Sequence, residues 1–197
     1  HSVTGEAIFA HTIGWHIAFP SNAEDAVGLL RSALRGNDPT MFFEHRTLYD
    51  SLQARRNYPG DDFEIPFGVA NVVQEGNDAT IVSWGEMLHR SVEAAKQLDA
   101  NVEIIDLRTI IPWDKEAVLN SIKKTGKFLL VHEDQMTSGF GAEISATIAQ
   151  EAFHFLDAPI VRVATSDNPI PYNLGLMESV VPSVEKIKSE LEKLLAF

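Results

Sequence analysis

His132-Glu133-Asp134 follows directly on an apolar run, Phe128-Leu129-Leu130-Val131. An imidazole beside carboxylates has the ingredients of acid–base catalysis or of a metal site. On a continuing strand, however, His132 and Glu133 point to opposite faces, so the spacing favours structural or interface use over a joint site. Glu44-His45-Arg46 closes a second apolar run, and a functional strand end and a salt-bridged boundary are equally good readings of it. His89 and His154 sit near helix ends without a ligand partner three or four residues away, so spacing implies no metal there. Gly139-Phe140-Gly141 has too few glycines, too far from its strand, for a dinucleotide fingerprint; it reads as a tight turn feeding a helix. There is no phosphate-binding loop and no G-x-S-x-G elbow.

The elements that must position these groups alternate. His16 to Phe19 reads as a strand, and Ser21 and Glu24 have capping-box spacing for the next helix. Ala26, Leu29, Leu30, Ala33 and Leu34 form that helix's apolar face. Thr40 to Glu44 is a second strand, so the first segment is β-α-β and half a sheet at most. The segment 45–66 lacks periodicity and reads as a linker with a domain boundary. Beyond it, strands are expected at Thr80–Trp84, Val102–Asp106, Lys127–Val131 and Ile160–Val163. Helices lie between them: one capped by Asp114, one from Gly141 to Phe155 with Ile144, Ile148, Ala149 and Phe153 inward, and a last one capped by Ser183. Apolar strands alternating with amphipathic helices predict a mostly parallel sheet covered on both faces.

The chain has 197 residues, is 45% hydrophobic and 22% charged, and so has the composition of a soluble globular protein. No apolar run approaches the roughly 20 residues of a membrane span, and no signal segment is evident. The absence of cysteine removes disulfides and thiolate metal sites. Net charge is −12, divided as −4 over 1–66 and −8 over 67–197. That disfavours nucleic acid and permits a basic protein partner. The start at His1-Ser2 reads as the interior of a longer protein, so a fragment or processed piece is expected. From spacing alone the reading stops at a soluble α/β protein with an acidic, partner-ready surface.

Several strings, in order along the chain, resemble one family. They include His1-Ser2 with Glu6-Ala7, Phe9-Ala10-His11, Pro20-Ser21, Gly28-Leu29-Leu30, Asp38-Pro39, Glu44-His45, Trp84-Gly85, Ile105-Asp106-Leu107-Arg108-Thr109, Lys124-Thr125-Gly126 and the stretch from Val131 to Ile144. The chain resembles the β-subunit, or the β part of a fused α/β chain, of the decarboxylating component of 2-oxo acid dehydrogenases, which are transketolase-like thiamine diphosphate enzymes. The resemblance implies an α/β fold. A partial pyrimidine-binding-type β-α-β segment (1–60) would be followed by a transketolase C-terminal-like domain (61–197).

It implies oxidative decarboxylation of a 2-oxo acid on thiamine diphosphate with Mg²⁺, and acyl transfer to a lipoyl group. A branched-chain acid is favoured over pyruvate from the loop Thr137 to Gly141. His1 matches the family's proton-handling histidine, although Val3-Thr4 stands where many members have Gln-Ser. The remaining cofactor ligands belong upstream or to the α part, so this chain alone is expected to be inactive. Ala33, Leu34, Gly36 and Asp38 match a potassium site of backbone carbonyls, with Gly36 where many members have Asp. The expected partners are the α-subunit or fused α part, a second β copy, and a lipoyl-bearing acyltransferase. The last would dock through a basic peripheral subunit-binding domain at an acidic surface that includes Phe197 and its carboxylate. A bacterial cytoplasm is favoured over the mitochondrial matrix as location. The alternatives are a non-catalytic assembly and docking module, and a sugar-phosphate synthase, which would require basic phosphate-binding residues that are not evident.

Overall fold

A computed structural model describes residues 4–197. The elements run α1 (Glu6–Ala10), β1 (His16–Ala18), α2 (Ala23–Arg35), β2 (Thr40–Phe42), β3 (Asn71–Gln74), β4 (Ala79–Ser83), α3 (Glu86–Lys96), β5 (Val102–Asp106), β6 (Thr109–Ile111), α4 (Lys115–Thr125), β7 (Phe128–Gln135), α5 (Phe140–Glu151), β8 (Val161–Thr165), α6 (Leu174–Val180) and α7 (Val184–Leu195).

The larger sheet has the order β3-β5-β4-β7-β8. Its last four strands are parallel, and β3 is an antiparallel edge. Every residue of β4 and β5 is buried, as expected for strands covered on both faces. The two faces feed two cores. Ile81, Ile104 and Leu129 pack with Ile187 and Leu191 of α7 and Ala94 of α3. Val82, Ile105 and Leu130 pack with Val118 and Ile122 of α4 and Ile144 and Ile148 of α5. Asp114 caps α4 by accepting from the Ala117 N–H at 3.0 Å, and Ser183 caps α7 by accepting from Lys186 N–H at 3.2 Å.

The smaller sheet, β2-β1-β6, joins the two segments. β1 lies parallel to β2 and antiparallel to β6, with Ile17 opposite Ile111. The first segment therefore borrows a strand from the region after the linker, and Ile17 and Phe19 share a core with Trp84, Leu107 and Ile110.

The helices depart from expectation in three places. Ser21 does not cap α2; Asn22 does, accepting from the Asp25 N–H at 3.0 Å. On α2 only Leu29 of the anticipated apolar face is fully buried, whereas Leu30 and Leu34 are exposed. Phe63 and Ile65 lie over Gly28 instead, where a Cβ would come within 2.7 Å of Ile65 Cγ1. Finally, α5 stops at Glu151, a short 3-10 turn follows at Phe153–Phe155, and both Ala149 and Phe153 face solvent.

Candidate functional site

Parallel α/β sheets present functional groups at the C-terminal ends of their strands, where neighbouring connections diverge. Here β4 is flanked by β5 on one side and β7 on the other. The first residues beyond or at their ends are Trp84-Gly85, Asp106 to Arg108, and His132 to Asp134. The first segment lies against those ends, and two buried polar clusters form the seam.

The first cluster is built on Ser21. Its hydroxyl donates to Asp106 Oδ1 at 2.9 Å and accepts from the Gly85 N–H at 2.9 Å. A ring nitrogen of His89 lies 2.7 Å from the Ser21 carbonyl. Arg108 bonds Asp25 at 2.8 Å through Nη2, and Asp106 Oδ1 also accepts from the Arg108 N–H at 3.1 Å. Asp25 and Asp106 are both buried. Burial raises both carboxyls above their ordinary range, Arg108 pulling Asp25 back and the neighbouring Asp25 pushing Asp106 further, to about 7. Asp25 therefore holds the guanidinium, while Asp106 meets the backbone N–H of the same residue.

The second cluster surrounds α1. Glu6 is fully buried, and its Oε1 accepts from the Trp84 indole N–H at 3.1 Å. Burial first, and the nearby Asp134 second, push the Glu6 carboxyl up to about 8. Asp134 is itself raised by burial, partly offset by the backbone N–H of Gln135, from which it accepts at 2.8 Å, and by the nearby N–H of Ala7. The Trp84 ring stacks on His132, with centroids 5.5 Å apart and planes 12° apart. On the other face of β7, Glu133 bonds His45 Nε2 at 2.6 Å. The two faces anticipated for His132 and Glu133 are thus realised, and Glu133 joins the end of β7 to the chain just after β2. A groove of about 640 Å³ opens beside α1, lined by Ile8, His11, Ile111, Phe140 and Glu143 among others.

His132 is buried with both ring nitrogens lacking a hydrogen-bond partner among the described residues. Burial, then the Arg162 charge, pushes it down to about 4. Because the folded value lies below the ordinary 6.5, its contribution to stability is complete above about pH 6.5 and is lost as pH falls to about 4. The loss is on the order of 3 kcal/mol. Glu6 and Asp106 act oppositely over the same range, since their raised values favour the folded state as pH falls. The His132→Phe variant isolates the term. Its melting temperature should fall less steeply than that of the unmodified chain between pH 6.5 and 4, whatever its absolute value. Parallel slopes would show that His132 does not ionise on unfolding as described.

The other anticipated site residues are dispersed. His1 lies outside the described residues. Ala33, Leu34, Gly36 and Asp38 surround the C-terminal end of α2, with Leu34, Gly36 and Asp38 exposed. There the Gly36 N–H closes onto the Ser32 carbonyl at 3.0 Å, and Asp38 lies 4.0 Å from His16. Phe197 is 70% exposed at the far end of the chain. Among the described residues no three His, Asp or Glu side chains gather as a metal site. Among the described residues no helix is long and apolar enough to cross a membrane. The buried roles of Ser21, Glu6, Asp106 and Arg108 are absent from the sequence-based site. A signal existed for Glu6: one acid within the otherwise small or apolar run Gly5 to Ala10.

Comparison with known proteins bears on what this seam belongs to. Residues 68–187 match the transketolase C-terminal domain, and residues 1–51 match the transketolase pyrimidine-binding domain. The chain is 44% identical over 174 residues to the mitochondrial 2-oxoisovalerate dehydrogenase subunit beta 2 of Arabidopsis thaliana, covering 87% of this chain and 48% of that protein. It is 38% identical over 201 residues to the 2-oxoisovalerate dehydrogenase subunit beta of Bacillus subtilis, covering all of this chain and 61% of that one. It is 41% identical to a pyruvate dehydrogenase E1 component subunit beta of Staphylococcus epidermidis, covering 87% and 53%. The chain thus spans about half to three-fifths of the length of these curated relatives. Among solved structures, the chain termed split gene transketolase, inactive beta4 tetramer, is 22% identical with a TM-score of 0.71, covering 93% of this chain and 57% of that one. At that identity the likeness is one of fold.

Proposed function

The chain belongs to the transketolase family, and from that premise we propose that it is the β part of a thiamine diphosphate-dependent 2-oxo acid dehydrogenase. One observation carries the reading. Helix α1, which begins five residues after His1 in the sequence, is held by the Glu6–Trp84 bond at the C-terminal end of β4. Such strand ends are where these sheets present reactive groups, and an imidazole is the side chain that titrates nearest neutrality.

Thiamine diphosphate supplies the carbanion chemistry when bound. In the family its diphosphate and Mg²⁺ ligands belong to the α part. The contribution of this chain is positional: it holds α1 against the strand ends and offers surfaces for assembly. The residues at the end of α2 suit K⁺ in donor chemistry, because the carbonyls of a last helical turn lack intrahelical donors. The −8 charge of 67–197 and the exposed Phe197 suit a basic docking domain on a lipoyl-bearing acyltransferase. A branched-chain 2-oxo acid is the proposed substrate and the bacterial cytoplasm the proposed location; relatives named for both substrate types, from bacteria and from mitochondria, are 38% to 44% identical to it.

The test is co-expression with the α component, thiamine diphosphate and Mg²⁺, followed by acylation of a lipoyl domain. Turnover is expected with a higher kcat/KM for 3-methyl-2-oxobutanoate than for pyruvate, and none is expected from the chain alone. A preference for pyruvate would overturn the substrate assignment. Absence of turnover with every 2-oxo acid would favour a non-catalytic assembly and docking module. In the same assembly, deleting Phe197 should weaken binding of the peripheral domain, and replacing K⁺ by Na⁺ should lower the melting temperature. Unchanged values would remove those two assignments.

A further inference from the structure

Glu6 is an anomaly that the proposed chemistry leaves unused. It sits in a five-residue helix too short to persist on its own, and it is fully buried. One carboxyl oxygen accepts from Trp84; the other, Oε2, has no hydrogen-bond partner among the described residues. The titratable and charged groups around it are mostly acidic. Asp134 and Glu133 approach from β7, the latter engaged with His45. Glu143 from α5 and His11 at the end of α1 line the groove beside that helix. The buried His132 lies behind Trp84. No cation pairs with the Glu6 carboxyl among the described residues. An ionised group there would be a desolvated anion facing two others, whereas a protonated one needs only the indole bond it already has.

We propose that Glu6 is a positioning residue whose uncharged carboxyl, bonded to Trp84, locks α1 onto the sheet at the end of β4. When it ionises, repulsion from Asp134 on β7 works against that packing. The seat of α1 then loosens, and the assembled enzyme loses activity as pH rises through the Glu6 transition near 8. Glutamine at this position preserves a carbonyl acceptor for Trp84 and cannot ionise.

The role in turnover rests on the function proposed above; the lock itself does not, so two readouts separate them. The first uses the chain as it is, with Trp15→Phe and Trp113→Phe so that Trp84 is the only emitter. Its fluorescence should shift with a midpoint near pH 8, and Glu6→Gln should abolish that transition. The second uses the co-expressed assembly. Glu6→Gln should keep kcat within about twofold below pH 7 and move the alkaline limb upward, while Glu6→Ala, which drops the tether, should cost roughly 10- to 100-fold in kcat with a smaller change in KM. A Trp84 signal that is flat with pH, or that titrates identically in Glu6→Gln, overturns the lock. An unmoved alkaline limb in Glu6→Gln overturns its part in turnover. An assembly inactive with all 2-oxo acids, beside an intact Trp84 transition, overturns the functional reading and leaves the lock standing.

Discussion

Arg108→Ala should lower the stability of the chain by about 3–5 kcal/mol, the range for breaking a buried ion pair by removing one partner. Arg108 is the cation paired with Asp25, bonded to it at 2.8 Å with only 2% of the Asp25 side chain exposed, and its charge also acts on Asp106. Removing it strands two carboxyls in the seam, both already raised by burial. They can escape ionisation only by taking up protons, so the penalty should shrink as pH falls from about 8 towards 5. Combining Arg108→Ala with Asp25→Asn should recover part of the loss, because one stranded charge is gone. Arg108→Gly makes a useful companion, since Arg108 has φ 61°, a conformation that glycine adopts without a Cβ penalty. Urea midpoints at pH 5, 7 and 8 provide the measurement. A pH-independent loss below about 1 kcal/mol would mean that the pair behaves like a solvent-screened surface bridge.

Gly85→Ala should be nearly as damaging, by about 3 kcal/mol or more from two sources. Gly85 has φ 61° and ψ −141°, a combination essentially confined to glycine. A Cβ there would also meet the Phe19 ring at 2.7 Å, directly beside the 2.9 Å bond from the Gly85 N–H to Ser21. Gly60→Ala separates the sources, because Gly60 has φ 100° but nothing within 4 Å of the added carbon. It should show the backbone cost alone, at most a few kcal/mol. Equal losses in the two variants would show that contact with Phe19 contributes nothing to the seam.

The parallel strands were legible because burial on both faces writes them as near-continuous apolar runs bounded by turns. The caps at Asp114 and Ser183 were legible because one side chain within three residues decides them. The elements that escaped lack a local signature. β6 is three residues long, and its partner β1 lies far upstream, so only tertiary contact defines it. β3 is an edge strand whose Val72 and Val73 are partly exposed, which removes any inside–outside alternation. α1 is too short for a helical period to show. The face of α2 was misjudged because sequence periodicity favours its leucines, whereas Phe63 and Ile65 return across Gly28. The candidate site was hidden for a related reason. Ser21 has a valid local reading as a cap, and only the approach of Asp106 and Gly85 gives it another. The pairing of Glu6 with Trp84 likewise spans most of two segments. What the spacing did reveal, that His132 and Glu133 serve opposite faces, is a local consequence of the strand pleat.

The pairing of Ile17 with Ile111 also sets a timetable for biosynthesis. At roughly 5–20 residues per second, a ribosome adds residue 111 several seconds after residue 17. Until then β1 has no β6 to pair with, and Ile17 and Ala18, fully buried in the finished protein, have no cover from that side. The nascent N-terminal segment must wait for its partner strand with an apolar edge open. That interval is when a holding chaperone would matter most to the yield of folded chain.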